Sequence, residues 1–181
     1  PWMEEQFVNA VLQDTAGILA LSTPPSPAER WVRSSLLPNL CLAVTKNERY
    51  FSEFSLFETA QIFRDADYTA PYDPREKLPS QRRSIAGAFA DSAKDVTALF
   101  RRAKGVIEMM PRYTHMEAFT LEQREKPLWA DNVVWLNIVL DDKVIGSLAL
   151  LNKKASMAFG IKNLTVMLFE LDADALVPFK S

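Results

Sequence analysis

The stretch Trp31 to Asp67, WVRSSLLPNLCLAVTKNERYFSEFSLFETAQIFRDAD, constrains the fold more than any other, because it runs a helix directly into a long strand. Ser34 or Ser35 can act as an N-cap, since a short side-chain oxygen accepts from an otherwise unbonded NH at a helix start. Apolar residues follow at Leu36, Leu37, Leu40, Ala43 and Val44, which places them on one helical face. Pro38 falls in the first turn, where its missing NH costs little, and Asn47 is a C-terminal stop signal. Beyond it, Phe54, Leu56, Ile62 and Phe63 sit in a run of β-forming residues whose outer positions are polar or small. That is the pattern of a strand buried on at least one face.

Such a helix and strand need a core, and the chain is long enough to supply one: 181 residues, 48% hydrophobic and 24% charged, the balance of a soluble globular protein. No apolar run reaches the roughly 20 residues that cross a bilayer. With no basic-then-apolar leader at the start, the expectation is a cytoplasmic chain with no membrane partner. The lone cysteine, Cys41, cannot form an internal disulfide, and its place on the apolar helix predicts a buried thiol. A net charge of −2 gives no global attraction to nucleic acid, so RNA contact would be local or made by another part of an assembly. The sequence begins at Pro1 without an initiator Met, which predicts a piece of a longer polypeptide.

In chain order, Glu4 to Leu12 fits a short helix or an edge strand, broken at Gly17. Ile18 to Leu21 is a short strand candidate, closed by the loop Thr23-Pro24-Pro25-Ser26-Pro27. Tyr68 to Pro79 reads as a long exposed loop, and Ser84 to Ala90 as a small-residue strand in which Gly87 marks close backbone approach. Asp91 or Ser92 then caps a helix from Ala93 to about Met110, striped with Val96, Leu99, Phe100, Ala103, Val106 and Ile107 and ended by Pro111. Met116 to Leu121, Val133 to Leu140 and Val144 to Leu151 are strand candidates, the last two a hairpin around Asp141-Asp142. A helix from Lys153 to Phe159 stops at Gly160, and Leu164 to Leu171 is a final strand. No repeat or linker divides residues 1–181, so the expectation is one α+β domain, a mostly antiparallel sheet with helices packed on it.

These pieces, in this order, resemble the β subunit of bacterial phenylalanyl-tRNA synthetase, in its C-terminal, non-catalytic module of class II synthetase-like fold. Arg33-x-Ser35-Leu36-Leu37-Pro38 is similar to the family's helix-start signature, and Leu56-Phe57-Glu58 followed by Ile62-Phe63 to its strand signature. Lys104-Gly105, Ile145-Gly146 and Phe169-Glu170-Leu171-Asp172-x-Asp174-x-Leu176 resemble further landmarks, and together they cover most of the chain from about Phe7 onward. The chain departs from the family at Ala60, where a glycine is usual, at Leu128-Trp129-Ala130-Asp131, and from Ser147 to Lys153. The resemblance implies a subunit that assembles with the catalytic α subunit and supports aminoacylation of tRNA(Phe). It assigns ATP and magnesium to the parent complex, no cofactor to this chain, and tRNA contact to other domains. It makes Arg33, Pro38, Phe57 and Glu58 fold-defining positions.

An adenylating class II domain needs one arginine fixed on a sheet strand and a second opening a helix, to hold charge that develops on the α-phosphate. Phe63-Arg64-x-x-Asp67 resembles the first device, which makes Arg64 the candidate ligand-binding residue; the plainer reading pairs it with Asp65 or Asp67 at a strand end. No glycine-rich segment ending in arginine lies between Val133 and Asp174, so no catalytic residue is assigned. His115 and Cys41 lack metal-ligand spacing and no metal site is expected. Glu58 needs a partner on a covered sheet, and Arg33 is the one expected. Arg82, Arg83, Arg101 and Arg102 are candidates for phosphate contact, although a solvated face is the default for charge runs. Trp129, Trp135, Phe119 and Phe89 are expected in the core. Against the assembly module stands a reading from another class, a free-standing synthetase-fold domain that binds a small molecule or regulates.

Overall fold

Strand pairing organises the computed structural model, which describes residues 2–11, 18–26, 29–64 and 79–176. Six strands, β3 (Glu53–Arg64), β4 (Ser80–Asp91), β5 (Thr120–Glu122), β6 (Ala130–Leu140), β7 (Lys143–Leu151) and β8 (Thr165–Asp172), form one sheet in the order β3-β4-β8-β7-β6-β5. Every neighbouring pair is antiparallel. A two-stranded sheet joins β1 (Trp2–Met3) to β2 (Trp31–Val32). With the helices α1 (Glu5–Val11), α2 (Leu37–Asn47), α3 (Val96–Thr114) and α4 (Lys153–Phe159), this is the expected α+β class.

Alternation along β4 decides how the helices pack, since successive side chains point to opposite faces. Ala86, Ala88 and Ala90 lie on one face in a core with Leu36, Leu37, Leu40, Cys41 and Val44 of the α2 segment, and their small size lets that helix sit close. Phe89 lies on the other face, where Leu99, Ala103 and Ile107 of α3 pack with Met167, Phe169 and Leu171 of β8. The Cys41 thiol is fully buried, and burial pushes its pKa up to about 12. Trp129 and Phe89 are buried, and Trp135 and Phe119 are partly buried against these cores.

Glycines mark where strands crowd. A Cβ on Gly87 would lie 2.3 Å from the Phe169 ring, the close approach expected there. A Cβ on Gly146 would lie 2.4 Å from the Glu170 carbonyl oxygen and 2.7 Å from the Leu171 Cα, backbone that cannot swing aside. The Asp141-Asp142 hairpin turn has φ of 48° and 62°, the left-handed pair that a two-residue loop requires. Gly160 caps α4 at φ 73°, and its NH reaches the Ser156 and Met157 carbonyls.

The structure resolves Glu4 to Leu12 in favour of a helix, α1, with Leu12 and Gly17 outside the described residues. Ile18 to Leu21 is not a strand: only a single bridge, Ala20 to Trp31, forms there. Pro27 and residues 68–78 of the expected loops also lie outside the described residues. Helix α3 starts later than expected. The Asp91 carboxylate accepts from the Ala93 NH in a turn that passes through left-handed Lys94, and Asp95 caps the helix by accepting from Ala98. It also runs past Pro111 to Thr114, because losing one NH is tolerable in a last turn that left-handed His115 closes by donating to the Pro111 carbonyl. The strand expected over Met116 to Leu121 is confined to β5, where pairing with β6 begins.

Two glycines make opposite predictions. Gly146→Ala is expected to cost ~3 kcal/mol in urea unfolding, since β7 and β8 must separate. Gly105→Ala, in the α3 interior with nothing within 4 Å of its added methyl, is expected to gain about 0.5–1 kcal/mol.

Candidate functional site

Helix α2 begins against the end of the sheet, and β8 sets how it begins. Phe169 and Leu171 of β8 point to the α3 side, so Glu170 between them points to the α2 side. Its Oε2 accepts from the Ser35 hydroxyl at 2.6 Å and its Oε1 from the Leu36 NH at 2.8 Å. The Ser84 hydroxyl, on β4, lies 2.9 Å from the same Oε1 and 3.2 Å from the Leu171 carbonyl, and its single proton serves one of them at a time. Ser35 in turn accepts from the Leu37 NH at 3.1 Å. The N-cap expected at Ser34 or Ser35 falls instead on Leu36, which makes no side-chain cap bond; Ser35, one residue earlier, bonds the first helical NH beside a carboxylate placed where the helix dipole favours negative charge.

Beside this cluster lies a cavity of about 300 Å³, bounded by the α2 head and the ends of β3, β4, β7 and β8. Glu170, Ser35 and Ser84 line it, and Arg82 bonds Asp172 at 3.0 Å along its wall. Arg83 and Lys143, both exposed, line it too. Ser34 is 2% exposed, and its hydroxyl has no hydrogen-bond partner. The Trp129 ring and Ile62 supply apolar wall.

On the neighbouring edge strand β3, Arg33 acts as a clasp. Its Nη1 bonds Glu58 Oε1 at 3.1 Å, its Nε donates to the Gln61 carbonyl at 2.7 Å, and its own carbonyl accepts from the Phe63 NH at 2.9 Å. Pro38 is buried in the first turn of α2. Phe57 is half exposed yet packs edge-on to Phe89, with ring centroids 5.4 Å apart.

Arg64 ends β3 opposite Ser80; its side chain and Asp65 and Asp67 lie outside the described residues. The basic residues are divided between elements. Arg82 and Arg83 stand at the start of β4, with Arg82 paired to Asp172. Arg101 is exposed on α3, and Arg102 there bonds Glu53 and the Ser55 hydroxyl and lies over the Phe89 ring. Among the described residues no three His, Cys, Asp or Glu side chains gather as a metal site. Sequence reasoning passed over Glu170 as an anchor, although an acid between Phe169 and Leu171 at an inward strand position was the available signal.

A family model described as phenylalanyl tRNA synthetase beta chain CLM domain matches residues 3–173. No curated protein matches the chain. Among solved structures, a pyrrolysyl-tRNA synthetase from Desulfitobacterium hafniense is similar with a TM-score of 0.65 and 13% identity, over 95% of this chain and 66% of that one. A second pyrrolysyl-tRNA synthetase structure from the same organism gives 0.71 and 12%, over 96% and 56%. The chain thus spans less than two thirds of either structure, and at such identities the likeness is one of fold.

The two carboxylates are both half-buried but differ in how many groups bond them, and so should their substitutions. Glu170→Gln, which removes charge from three donors, is expected to cost about 2 kcal/mol in urea unfolding. Glu58→Gln is expected to cost about 0.5 kcal/mol, because Glu58 makes one partly exposed ion pair, with Arg33. Equal costs would contradict this ranking.

Proposed function

The chain belongs to the family of phenylalanyl tRNA synthetase beta chain CLM domains, and from that premise we propose that it is a non-catalytic assembly module. Its partner is a catalytic α subunit, and together they support aminoacylation of tRNA(Phe) in the cytoplasm. The α subunit holds ATP and magnesium, and other domains make the main tRNA contacts. The observation that carries this reading is the absence of arginine from Val133 to Asp174. A class II adenylation site needs a second fixed cation to offset charge on the transferring phosphate, and that segment is where the chain would supply it.

Exposed aromatic residues support the assembly part. Tyr50 and Phe51 precede the edge strand β3 and Phe57 lies within it, with exposures of 76%, 54% and 54%. Exposed large apolar groups beside an open strand edge are the composition of a surface that a partner covers.

Co-expression with a catalytic α subunit is expected to give a complex that survives gel filtration, and Phe51→Asp with Phe57→Asp to weaken it by tenfold or more (~1.4 kcal/mol). The isolated chain is expected to show no phenylalanine-dependent ATP–pyrophosphate exchange; turnover would refute the non-catalytic assignment. An α subunit that elutes alone would refute the assembly role.

A further inference from the structure

Strand β3 is an edge of the sheet, and part of that edge is left open. Its pairing with β4 runs without a shift from Glu53 opposite Asp91 to Arg64 opposite Ser80, so its main-chain groups alternate strictly between β4 and the open side. The Phe63 NH donates to the Arg33 carbonyl and the Gln61 carbonyl accepts from the Arg33 Nε, which puts the odd positions on the open side. Arg33 thus closes the edge at residues 61–63. Upstream, the NH and carbonyl groups of Ser55, Phe57 and Thr59 face outward, and among the described residues none of them has a partner there.

Open edges are ordinarily protected by proline, lysine, a bulge or a covering element. Residues 55–59, Ser-Leu-Phe-Glu-Thr, contain no proline or lysine, and no bulge interrupts them. Their one charge, Glu58, points to the α2 side and is bound by Arg33. On the α3 side Ser55, Phe57 and Thr59 are exposed, and the Phe57 ring rests edge-on against Phe89 with half its surface uncovered. The segment is also its own complement. A two-fold axis at Phe57 sets it antiparallel to an identical segment, with Phe57 opposite Phe57 and Ser55 opposite Thr59, all positions whose main-chain groups are free. The same axis places Glu58 opposite Leu56, so no acid faces an acid directly. Pairing ends at Gln61, whose carbonyl Arg33 already occupies.

We propose that the chain forms a symmetric dimer by antiparallel pairing of β3 with β3 of a second copy through residues 55–59, which joins the two sheets into one. The main-chain groups of Ser55 and Thr59 bond those of Thr59 and Ser55 in the other copy, and the two Phe57 bond each other. The Phe57 rings meet across the axis and cover the apolar surface that Phe89 leaves exposed. A second copy is the occupant because it satisfies the open main chain, sets aromatic against aromatic and brings no like charges directly opposite. The inference goes beyond assembly with an α subunit and does not rest on it; an α subunit that covers Phe57 displaces the second copy.

The test is sedimentation velocity of the purified chain across the micromolar range, with residue-resolved amide exchange on the same samples. The apparent mass is expected to rise with concentration towards twice that of the chain. Over the same range the Ser55, Phe57 and Thr59 amides are expected to slow by about tenfold or more, while those of Leu56 and Glu58, which face β4, are slow at every concentration. Thr59→Pro removes one outward NH and keeps the β4 ladder, a change that an edge strand tolerates, and is expected to weaken the dimer by about tenfold or more in a chain that still folds. Phe57→Asp sets two carboxylates across the axis and is expected to abolish the dimer. The proposal is overturned if the chain sediments as a monomer throughout, if a dimer forms without slowing those three amides, or if both variants dimerise like the parent. None of these readouts involves an α subunit, so a failure here is distinct from a failure of the assembly reading.

Discussion

The Glu170 carboxylate holds the head of α2 against the sheet, and the geometry of that whole end of the molecule follows from it. Even half-burying a carboxylate is costly unless its lone pairs are met, and here the Leu36 NH and two hydroxyls meet them. Hydrogen bonds to a charged group are worth about 1.5–3 kcal/mol each net, against about 0–1 for a partly exposed ion pair such as Arg33–Glu58. Glu170 thus fixes the helix, and Arg33 only closes the edge of β3. Because Ser35 is spent on Glu170 and Leu37, Ser34 is left beside the cavity without a bond of its own.

At the same end of the sheet β7 and β8 crowd together. Gly146 lies under the Glu170 carbonyl, so β7 and β8 approach there without side-chain spacing. Toward the middle of the sheet the faces divide by size, with alanines under α2 and phenylalanines under α3. Small residues bring α2 in close and keep the inner polar positions, Ser84, Glu170 and Asp172, in one row beyond its N-terminus. A cavity forms there because the helix begins late enough to leave those positions uncovered.

Much of the fold was legible because its signals act over a few residues. Helix α4 and its Gly160 cap follow from helical spacing and a glycine stop, and the β6–β7 hairpin from two aspartates that tolerate left-handed backbone. The start of α3 was misplaced because Asp91 caps a turn and not the helix, and its end because one proline does not stop a helix already in its last turn. The candidate site was legible only in part. The Arg33–Glu58 partnership follows from a strand acid that needs a cation, whereas nothing local distinguishes Ser34 from Ser35, or shows that Ser35 and Ser84 meet on one carboxylate.

By itself, then, the sequence determined the α+β class, the bounds of β7, α4 and β8 to within a residue, and the family's motifs in their order, since hydrophobic period, caps and turns are written within a turn of helix or a hairpin. The tertiary structure alone decided which polar residues meet. Ser35 and Glu170 stand 135 positions apart, and their contact depends on β8 pairing between β4 and β7 and on which face each strand presents. A one-residue slip in any of those registers would turn Glu170 to the α3 side. The stretch from Trp31 supplies a helix and a strand, but the residue that seats that helix comes from the far end of the chain.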